Sequence, residues 1–158
     1  MSPVEKWFKS KGWKPQDFQV YCWEHSMKGE NIMLHAPTGT GKTYAIWGGI
    51  LNESFKLKKI KEGINVIWIT PLRALAVEIQ KSTQQLCTDL KTDIKVELRT
   101  GDTPQSKRIK QNKKFPFGLI TTPETLHILI SSKKHKDVFK NLRFLVVDEW
   151  HELLGTKR

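Results

Sequence analysis

A length of 158 residues allows one globular domain with a real core, and a composition of 38% hydrophobic and 27% charged residues is ordinary for a soluble protein. No apolar stretch is long enough for a transmembrane helix and residues 1–14 lack the apolar segment of a secretory signal, which argues against a membrane or secreted protein and predicts a cytoplasmic one. The net charge of +11 suits a nucleic-acid partner, although a solvated basic face gives the same total.

The first predicted element is a helix at 14–27, ahead of the first strand. It contains Cys22. We expect both Cys22 and Cys87 to be reduced thiols, because neither cysteine has a CxxC partner. Cys22 and His25 could form half of a metal site, but no second pair completes it, and a structural role for both is the stronger interpretation.

Short β-rich runs and helical patterns alternate along the rest of the chain. The predicted strands are 31–35, 64–70, 94–99, 117–121 and 143–147. The predicted helices are 41 to about 59 and 72–90, with two more beginning at Pro104 and Pro123. This alternation predicts an α/β fold with a mostly parallel sheet flanked by helices, whose ligands bind where the strands end.

The first strand end carries the sequence HAPTGTGKTYAIW, residues 35–47. A glycine-containing turn into a helix points several backbone N–H groups at one spot, which suits a phosphate group. The stretch matches the pattern G-x-x-x-x-G-K-[ST], except that Ala36 replaces the first glycine. The predicted phosphate-binding residues are Pro37, Thr38, Gly39, Thr40, Gly41, Lys42 and Thr43, with Lys42 reaching the β- and γ-phosphates of ATP and the Thr43 hydroxyl on Mg²⁺.

The last predicted strand is very apolar and ends in Asp148 and Glu149. In a phosphate-loop enzyme, an aspartate at this position holds Mg²⁺, and we expect Glu149 to orient and deprotonate the attacking water. His151 is ambiguous, because an isolated histidine is more often a surface or packing residue than a working one.

The positive charge is concentrated between residues 101 and 143. The basic residues there are Lys107, Arg108, Lys110, Lys113, Lys114, Lys133, Lys134, Lys136, Lys140 and Arg143, against three acidic residues, Asp102, Glu124 and Asp137. Taken alone, this surplus is explained equally well by a solvated surface and by a nucleic-acid contact.

Four ordered segments, APTGTGKT, TPLRALA, TTPETL and DEWH, resemble motifs I, Ia, Ib and II of superfamily 2 helicases, and RTGD resembles a short motif between Ia and Ib. WITPLRALA and DEWHELLGTKR are most similar to the ligase-associated DEXH-box branch of the large helicase-related family. The resemblance implies a RecA-like phosphate-loop domain, ATP and Mg²⁺ as cofactors, and movement on single-stranded nucleic acid, with DNA favoured over RNA, in DNA repair with ligase and nuclease partners.

The same resemblance implies roles for individual residues. Gln19 corresponds to the glutamine that reads adenine, and His151 to the residue that couples the ATP state to nucleic-acid contacts. The residues implied to line the track for a single strand are Thr70, Pro71, Leu72, Arg73, Thr100, Gly101, Thr121, Thr122 and Pro123. For the threonines, β-propensity and helix capping are nearly equal alternatives.

Within this resemblance, residues 1–30 are expected to be an N-terminal helical extension that carries the adenine-reading motif, and residues 31–158 the first RecA-like domain, incomplete at its C-terminus. Motif III, whose strand the resemblance places beside the phosphate-loop strand, and the second RecA-like domain do not occur in these residues. We therefore expect a sheet truncated before the motif III strand, and little ATP hydrolysis by the isolated chain.

Two other functions are left open. A catalytically silent fragment that binds nucleic acid weakly through its charge is the first. A different phosphate-loop NTPase or kinase is the second, but a GTPase lacks support because Asn112-Lys113-Lys114 is followed by Phe115 where the guanine-reading N-K-x-D motif needs aspartate two residues after the lysine.

Overall fold

The computed structural model describes residues 1–37 and 39–155, and within those ranges it contains eight helices and four strands. The chain divides into two compact units. The first unit is Met1–Ile60 with Gln85–Thr92, and the second is Lys61–Gln84 with Asp93–Arg158. None of the helices in the described ranges combines the length and the hydropathy that a membrane crossing requires.

The first unit is helical. It contains α1 (Pro3–Ser10), α2 (Asp17–Met27), α3 (Lys42–Ser54) and the last turn of α4 (Arg73–Asp89). Sequence analysis did not predict α1, although its start carries a recognisable signal. Ser2 Oγ accepts from Glu5 N, the Glu5 carboxylate accepts from Ser2 N, and Pro3 occupies the first turn, which together form a capping box.

Helices α2 and α3 pack closely because α3 has two glycines on the side that faces α2. A Cβ atom added at Gly48 would lie 2.5 Å from Trp23 Nε1, and one added at Gly49 would lie 2.9 Å from Ser26 Cβ. Trp23 Nε1 also donates to Tyr44 O at 3.1 Å, so this indole connects the two helices by a hydrogen bond as well as by contact. The start of α3 is therefore held by α2.

Asp89 connects the end of α4 to the N-terminal segment. Its carboxylate accepts from Trp7 Nε1 at 2.9 Å and pairs with Lys11 Nζ at 2.9 Å. The hydrogen bond from Lys11, followed by those from Trp7 and Gln85, lowers the pKa of Asp89 from 3.8 to about 2.

We expect Asp89→Asn to lower the free energy of unfolding by about 1 kcal/mol at pH 7, because the indole and the ammonium both lose a charged acceptor. Since the folded-state pKa is the lower one, this stabilisation is present above pH 3.8 and is lost as the pH falls through about 2. Urea unfolding of both proteins from pH 7 downward measures the difference, and a gap that widens toward low pH would contradict this account.

The second unit contains a four-stranded sheet in the order β2-β3-β1-β4. The strands are β1 (Val66–Ile69), β2 (Val96–Arg99), β3 (Gly118–Thr121) and β4 (Phe144–Val147), and all three pairings are parallel. The helices are the first part of α4 with α5 (Gln105–Lys113), α6 (Pro123–Ile130), α7 (His135–Phe139) and α8 (Trp150–Gly155). The predicted α/β fold with a parallel sheet is confirmed.

One face of the sheet is covered by α6 and α7. Ile67 and Leu119, which are paired across β1 and β3, form a buried cluster with Leu129 of α6, and Val138 and Phe139 of α7 pack against it. The alternation of side chains along β1 places Val66 and Trp68 on the opposite face, where both are 1% exposed. Because β1 is buried on both faces, it is apolar throughout.

The two edges of the sheet differ. At β2, glutamine side chains occupy the outer backbone groups, since Gln84 accepts from Val96 N, Gln80 donates to Val96 O and Gln111 donates to Leu98 O. At β4, no strand of the described residues pairs with the outer side, and Leu145 and Val147 are 60% and 44% exposed.

The predicted strand at 31–35 is wrong for this structure. Among the described residues, 31–37 form no helix or strand, and Met33 is 87% exposed. A strand needs a neighbouring backbone to bond with, and none of the four strands in the described residues pairs with this segment. Helix α3 also ends earlier than predicted, at Ser54 rather than near Lys59. At this end, Ser54 Oγ donates a hydrogen bond back to Ile50 O.

Candidate functional sites

The phosphate loop, residues 36–43, bends at its glycines into the start of α3. Gly39 and Gly41 have φ angles of +77° and +90°, a conformation that other residues adopt only with strain. Helix α3 begins at Lys42, and its N-cap residue, Gly41, has no side chain with which to cap the helix. The N–H groups of this helix start, at the positive end of a helix of 13 residues, suit a phosphate. The predicted contact Thr38 lies outside the described residues.

Thr40 stabilises the turn of the phosphate loop, and Lys42 and Thr43 lie where the loop enters α3. Thr40 Oγ1 donates to Pro37 O at 2.7 Å, which closes the turn from within. Lys42 and Thr43 are half-buried in the first turn of α3. In this position the ammonium of Lys42 and the hydroxyl of Thr43 belong to the same helix start as the amides of the phosphate loop.

Gln19 supports this loop from α2. Its Nε2 donates to Gly41 O at 3.1 Å, its Oε1 accepts from Gln16 N at 2.9 Å, and its side chain is almost fully buried. A Cβ atom added at Gly41 would lie 2.6 Å from Gln19 Nε2, so a side chain there would displace this amide, and the φ angle of +90° favours glycine as well. An amide keeps a second N–H and a second lone pair, which is the combination that the N6 and N7 edge of adenine can bond.

In the second unit, Asp148 is fixed at the end of β4. Its Oδ2 accepts from Trp68 Nε1 at 3.3 Å and its Oδ1 accepts from Glu149 N at 3.0 Å. Glu149 has a φ angle of +50°, which is rare for a residue with a side chain and typical of functional positions when the surrounding structure enforces it. His151 Nε2 lies 3.4 Å from Glu149 Oε2, and the imidazole is exposed.

Asp148 and Glu149 are carboxylates of the kind that bind Mg²⁺ in nucleotide enzymes. Mg²⁺ usually binds one or two carboxylates together with water and substrate phosphates, rather than an all-protein cage. The described residues contain no cluster of three or more histidine, cysteine or acidic side chains able to hold a metal. Cys22 and Cys87 are free and buried, as predicted.

The predicted track residues gather at one edge of the sheet. Ile69, Arg99, Thr121 and Val147 are in register across the four strands, so the segments that follow them leave the sheet side by side. Leu72, Arg73 and Gly101 are exposed there, and Pro71 and Pro123 are half-buried.

The threonines of this edge are buried. Thr121 Oγ1 donates to Arg99 O at 2.7 Å, and Thr122 Oγ1 lies 3.2 Å from Thr125 Oγ1 at the N-cap position of α6. Thr70 and Thr100 are also nearly inaccessible, and the hydroxyl of Thr70 has no partner in the described part of the chain. The hydroxyl of Thr121 thus bonds the neighbouring strand, and that of Thr122 contacts the first turn of α6. At this edge the main chain is exposed at Gly101.

Arg73 already has an anionic partner. Its Nη1 lies 2.8 Å and 2.7 Å from the two carboxylate oxygens of Asp102, and both side chains are more than 60% exposed. Gly101 permits this approach, because a Cβ atom there would lie 3.2 Å from Arg73 Nη2. On the other side of the turn, Arg108 Nη2 donates to Thr100 O and Gly101 O at 3.1 Å and 2.7 Å.

Sequence analysis missed three residues that shape these sites, namely Trp68, Asp102 and Arg108. Asp102 directly follows Thr100 and Gly101, which were predicted to line the track. Its negative charge beside these predicted phosphate contacts could have indicated that it pairs with a basic residue of the track. Trp68 lies 80 positions before Asp148, and no local pattern connects two residues at that separation.

Comparison with known proteins places the chain in a family. The DEAD/DEAH box helicase family matches residues 16–158. The ATP-dependent helicase Lhr-Core protein 2 of Thermococcus barophilus is 33% identical over 99% of this chain, and the ATP-dependent helicase Lhr-Core of Methanocaldococcus jannaschii is 32% identical over 98%. These comparisons confirm the resemblance to the large helicase-related family.

Solved structures agree with the sequence comparison. The structure of Mycobacterium smegmatis helicase Lhr bound to ssDNA and AMP-PNP has a TM-score of 0.86 and 29% identity over 99% of this chain. The helicase MrfA bound to DNA and AMPPNP has a TM-score of 0.79 and 27% identity over 95%. The chain spans about a fifth of the length of these relatives, namely 20% of the two Lhr-Core proteins and 21% of the two solved chains. On the family match and on identities above 30% across nearly the whole of its length, the chain belongs to the DEAD/DEAH box helicases.

Proposed function

We propose that this chain is the ATP-binding part of a helicase that couples ATP hydrolysis to movement along a single nucleic-acid strand. The observation that carries the proposal is the phosphate loop, in which two glycines of positive φ lead into the start of a helix with a lysine at its first position. Family membership supports the same activity, because the related proteins named above are called ATP-dependent helicases.

Each site residue then has a distinct task. The amides of Gly39–Thr43 and the ammonium of Lys42 bind the β- and γ-phosphates, and Pro37 and Thr38 are assigned to the same ATP site. Thr43 and Asp148 hold Mg²⁺, which would neutralise charge that develops on the phosphate oxygens. Glu149 takes the proton from the attacking water, and His151, close to the Glu149 carboxylate, relays the state of this site to the nucleic-acid contacts.

Adenine recognition is assigned to Gln19. Its remaining N–H and lone pair bond the adenine edge, and its bond to Gly41 O connects base recognition to the shape of the phosphate loop. Residues 1–30 are, on this proposal, an adenine-reading extension of a RecA-like domain that begins at residue 31.

The nucleic-acid track is assigned to the strand-end edge of the second unit, through Thr70–Arg73, Thr100–Gly101 and Thr121–Pro123. Main-chain groups and Arg73 bind phosphates without reading sequence, as a motor that passes over any sequence requires. DNA is favoured because the solved relatives are described as bound to ssDNA or DNA. A role in DNA repair, with ligase and nuclease partners, follows from the resemblance to the ligase-associated branch.

RNA is the second candidate substrate, because an ATP-dependent rRNA helicase of Encephalitozoon cuniculi is 30% identical over 90% of this chain. Binding of single-stranded DNA and RNA of one sequence at the same salt concentration separates the two. We expect tighter binding of DNA, and tighter binding of RNA would reassign the substrate.

The nucleotide assignment is tested by equilibrium binding of ATP and GTP to the chain in the presence of Mg²⁺. We expect ATP to bind and GTP to bind at least tenfold more weakly, since the Gln19 amide matches the adenine edge and not the guanine edge. Tight binding of GTP without ATP would instead support a different phosphate-loop NTPase.

Asp102→Asn should tighten the binding of single-stranded DNA by roughly three- to tenfold at low salt. The substitution removes a negative charge from the track and frees Arg73 for phosphate, which is a modest gain because the ion pair is exposed. The matched control is Asp137→Asn, which makes the same charge change at another exposed position of the basic segment. Equal effects of the two substitutions in a titration would refute a specific competition at Arg73.

A further inference from the structure

Helix α5 carries basic residues that the proposed track does not use. Four of its nine residues are lysine or arginine and none is acidic. Three lysines, Lys107 and Lys110 within the helix and Lys114 directly after it, line the same groove, and we call them the α5 lysine stripe. Their spacing of three and then four residues repeats once per helical turn, which explains why they share one side.

The groove beside this stripe has a volume of about 430 Å³. It is lined by Glu97, Ser106, Lys107, Lys110, Gln111 and Lys114. Glu97 is the single acidic residue in this lining, and its carboxylate accepts from Gln111 Nε2 at 2.8 Å. None of the three ammonium groups forms an ion pair with a residue in the described ranges, so the groove keeps a surplus of two positive charges.

The base of the groove is fixed and polar. Gln111 is 1% exposed and also donates to Leu98 O at 3.2 Å, which holds its amide against the edge of β2. Its Oε1 is buried and accepts no hydrogen bond from the described part of the chain. This acceptor is buried below three cations, and a phosphate group has no donor to offer it, so the recognition of an anionic ligand in this groove rests on the ammonium groups.

The stripe continues from the end of the candidate track. Helix α5 follows the Thr100–Gly101 turn directly, and Arg108 is hydrogen-bonded to both carbonyls of that turn. From Lys107 to Lys114 the stripe extends about 10 Å, at 1.5 Å of rise per residue. A strand that leaves the track past Gly101 therefore meets Lys107 first and Lys114 last.

We propose that the α5 lysine stripe is a second binding surface for nucleic acid, which contacts the phosphodiester backbone of the strand beyond the track. The ligand class follows from the chemistry: a row of ammonium groups with no aromatic side chain among them binds successive phosphates and reads no bases. This inference rests on the proposed function, because it extends the track assigned there.

The test compares two triple variants of the chain that remove the same charge. One is Lys107→Gln with Lys110→Gln and Lys114→Gln. The control is Lys56→Gln with Lys58→Gln and Lys59→Gln, three exposed lysines in the turn that follows α3. Binding of single-stranded DNA of about 20 nucleotides is measured over a range of salt concentrations, with a strand of about 6 nucleotides for comparison.

We expect the stripe variant to bind the longer strand at least tenfold more weakly near 0.1 M salt, and the slope of log K against log salt to become shallower by about 2, since each lost phosphate contact contributes about 0.7. The control variant should keep both values, and the short strand should bind all three proteins alike. Unchanged ATP binding by the stripe variant shows that it is folded.

Four results would overturn the inference. Equal losses of DNA affinity in the two triple variants would show a general effect of net charge. Full DNA binding by the stripe variant would show that the groove is not used. Both results would leave the proposed function intact. Stripe-dependent binding of polyglutamate, with DNA binding unaffected, would reassign the groove to an acidic protein. If the unmodified chain binds no strand of either length, the proposed function and this inference fail together.

Discussion

In the full-length enzyme that contains this chain, Glu149→Gln should reduce the rate of ATP hydrolysis by about a thousandfold while leaving ATP binding nearly unchanged. Glutamine keeps the shape of the side chain and cannot take a proton, and a positioned general base contributes on the order of 10² to 10⁴ in rate. The positive φ of Glu149 and the hydrogen bond from its amide to Asp148 hold this side chain at the end of β4, so the substitution removes chemistry and not folding. Single-turnover hydrolysis and equilibrium ATP binding measure the two quantities separately.

The control for this substitution is Glu152→Gln. Glu152 lies in α8 with its carboxylate 3.6 Å from His151 Nε2, so it shares the same histidine neighbour as Glu149. We expect its loss to change hydrolysis by less than about threefold, because it is an exposed carboxylate with no assigned role in proton transfer. Similar rates in the two variants would remove the assignment of Glu149 as the base.

Lys42→Ala should weaken ATP binding by roughly tenfold to a hundredfold and abolish measurable hydrolysis. A hydrogen bond between an ammonium and a phosphate contributes about 1.5 to 3 kcal/mol, which corresponds to that range of affinity. Lys42 is the first residue of α3, where the amides of the helix start are available to the same phosphates. Titration with ATP in Mg²⁺ gives the affinity directly.

Lys56→Ala is the matched control for Lys42→Ala, because Lys56 is an exposed lysine of the same unit just beyond the other end of α3. We expect it to bind ATP as the unmodified chain does. If both substitutions weaken ATP binding equally, the effect is one of net charge, and the phosphate loop is not the nucleotide site.

The fold was predictable wherever the signal was local. Apolar runs ending in polar residues indicated β1 to β4, and the stripe that includes Ala76 and Ile79 indicated α4. The strand predicted at 31–35 had the same kind of local signal. A strand forms only beside another backbone, however, and the sequence of residues 31–35 does not show whether such a neighbour is present. Helix α1 was missed for a different reason, because its capping box at Ser2 and Glu5 was present and not used.

The sites were predictable to the extent that their chemistry depends on one short segment. The phosphate loop could be identified from glycine, lysine and threonine at fixed spacing, and its glycines have the positive φ angles that such a bend needs. Burial of the hydroxyls of Thr121 and Thr122 could not be predicted, because it depends on which neighbours the parallel register supplies. The same limit applies to the hydrogen bond from Trp68 to Asp148 and to the ion pair of Arg73 with Asp102.

The central claim, an ATP-driven motor on nucleic acid, is tested most directly by the rate of ATP hydrolysis by the full-length enzyme that contains this chain, with and without single-stranded DNA. We expect saturating DNA to raise the rate at least tenfold, and the increase to disappear in Lys42→Ala. Hydrolysis that proceeds at the same rate with and without DNA, or stimulation that persists without the Lys42 ammonium, would contradict it.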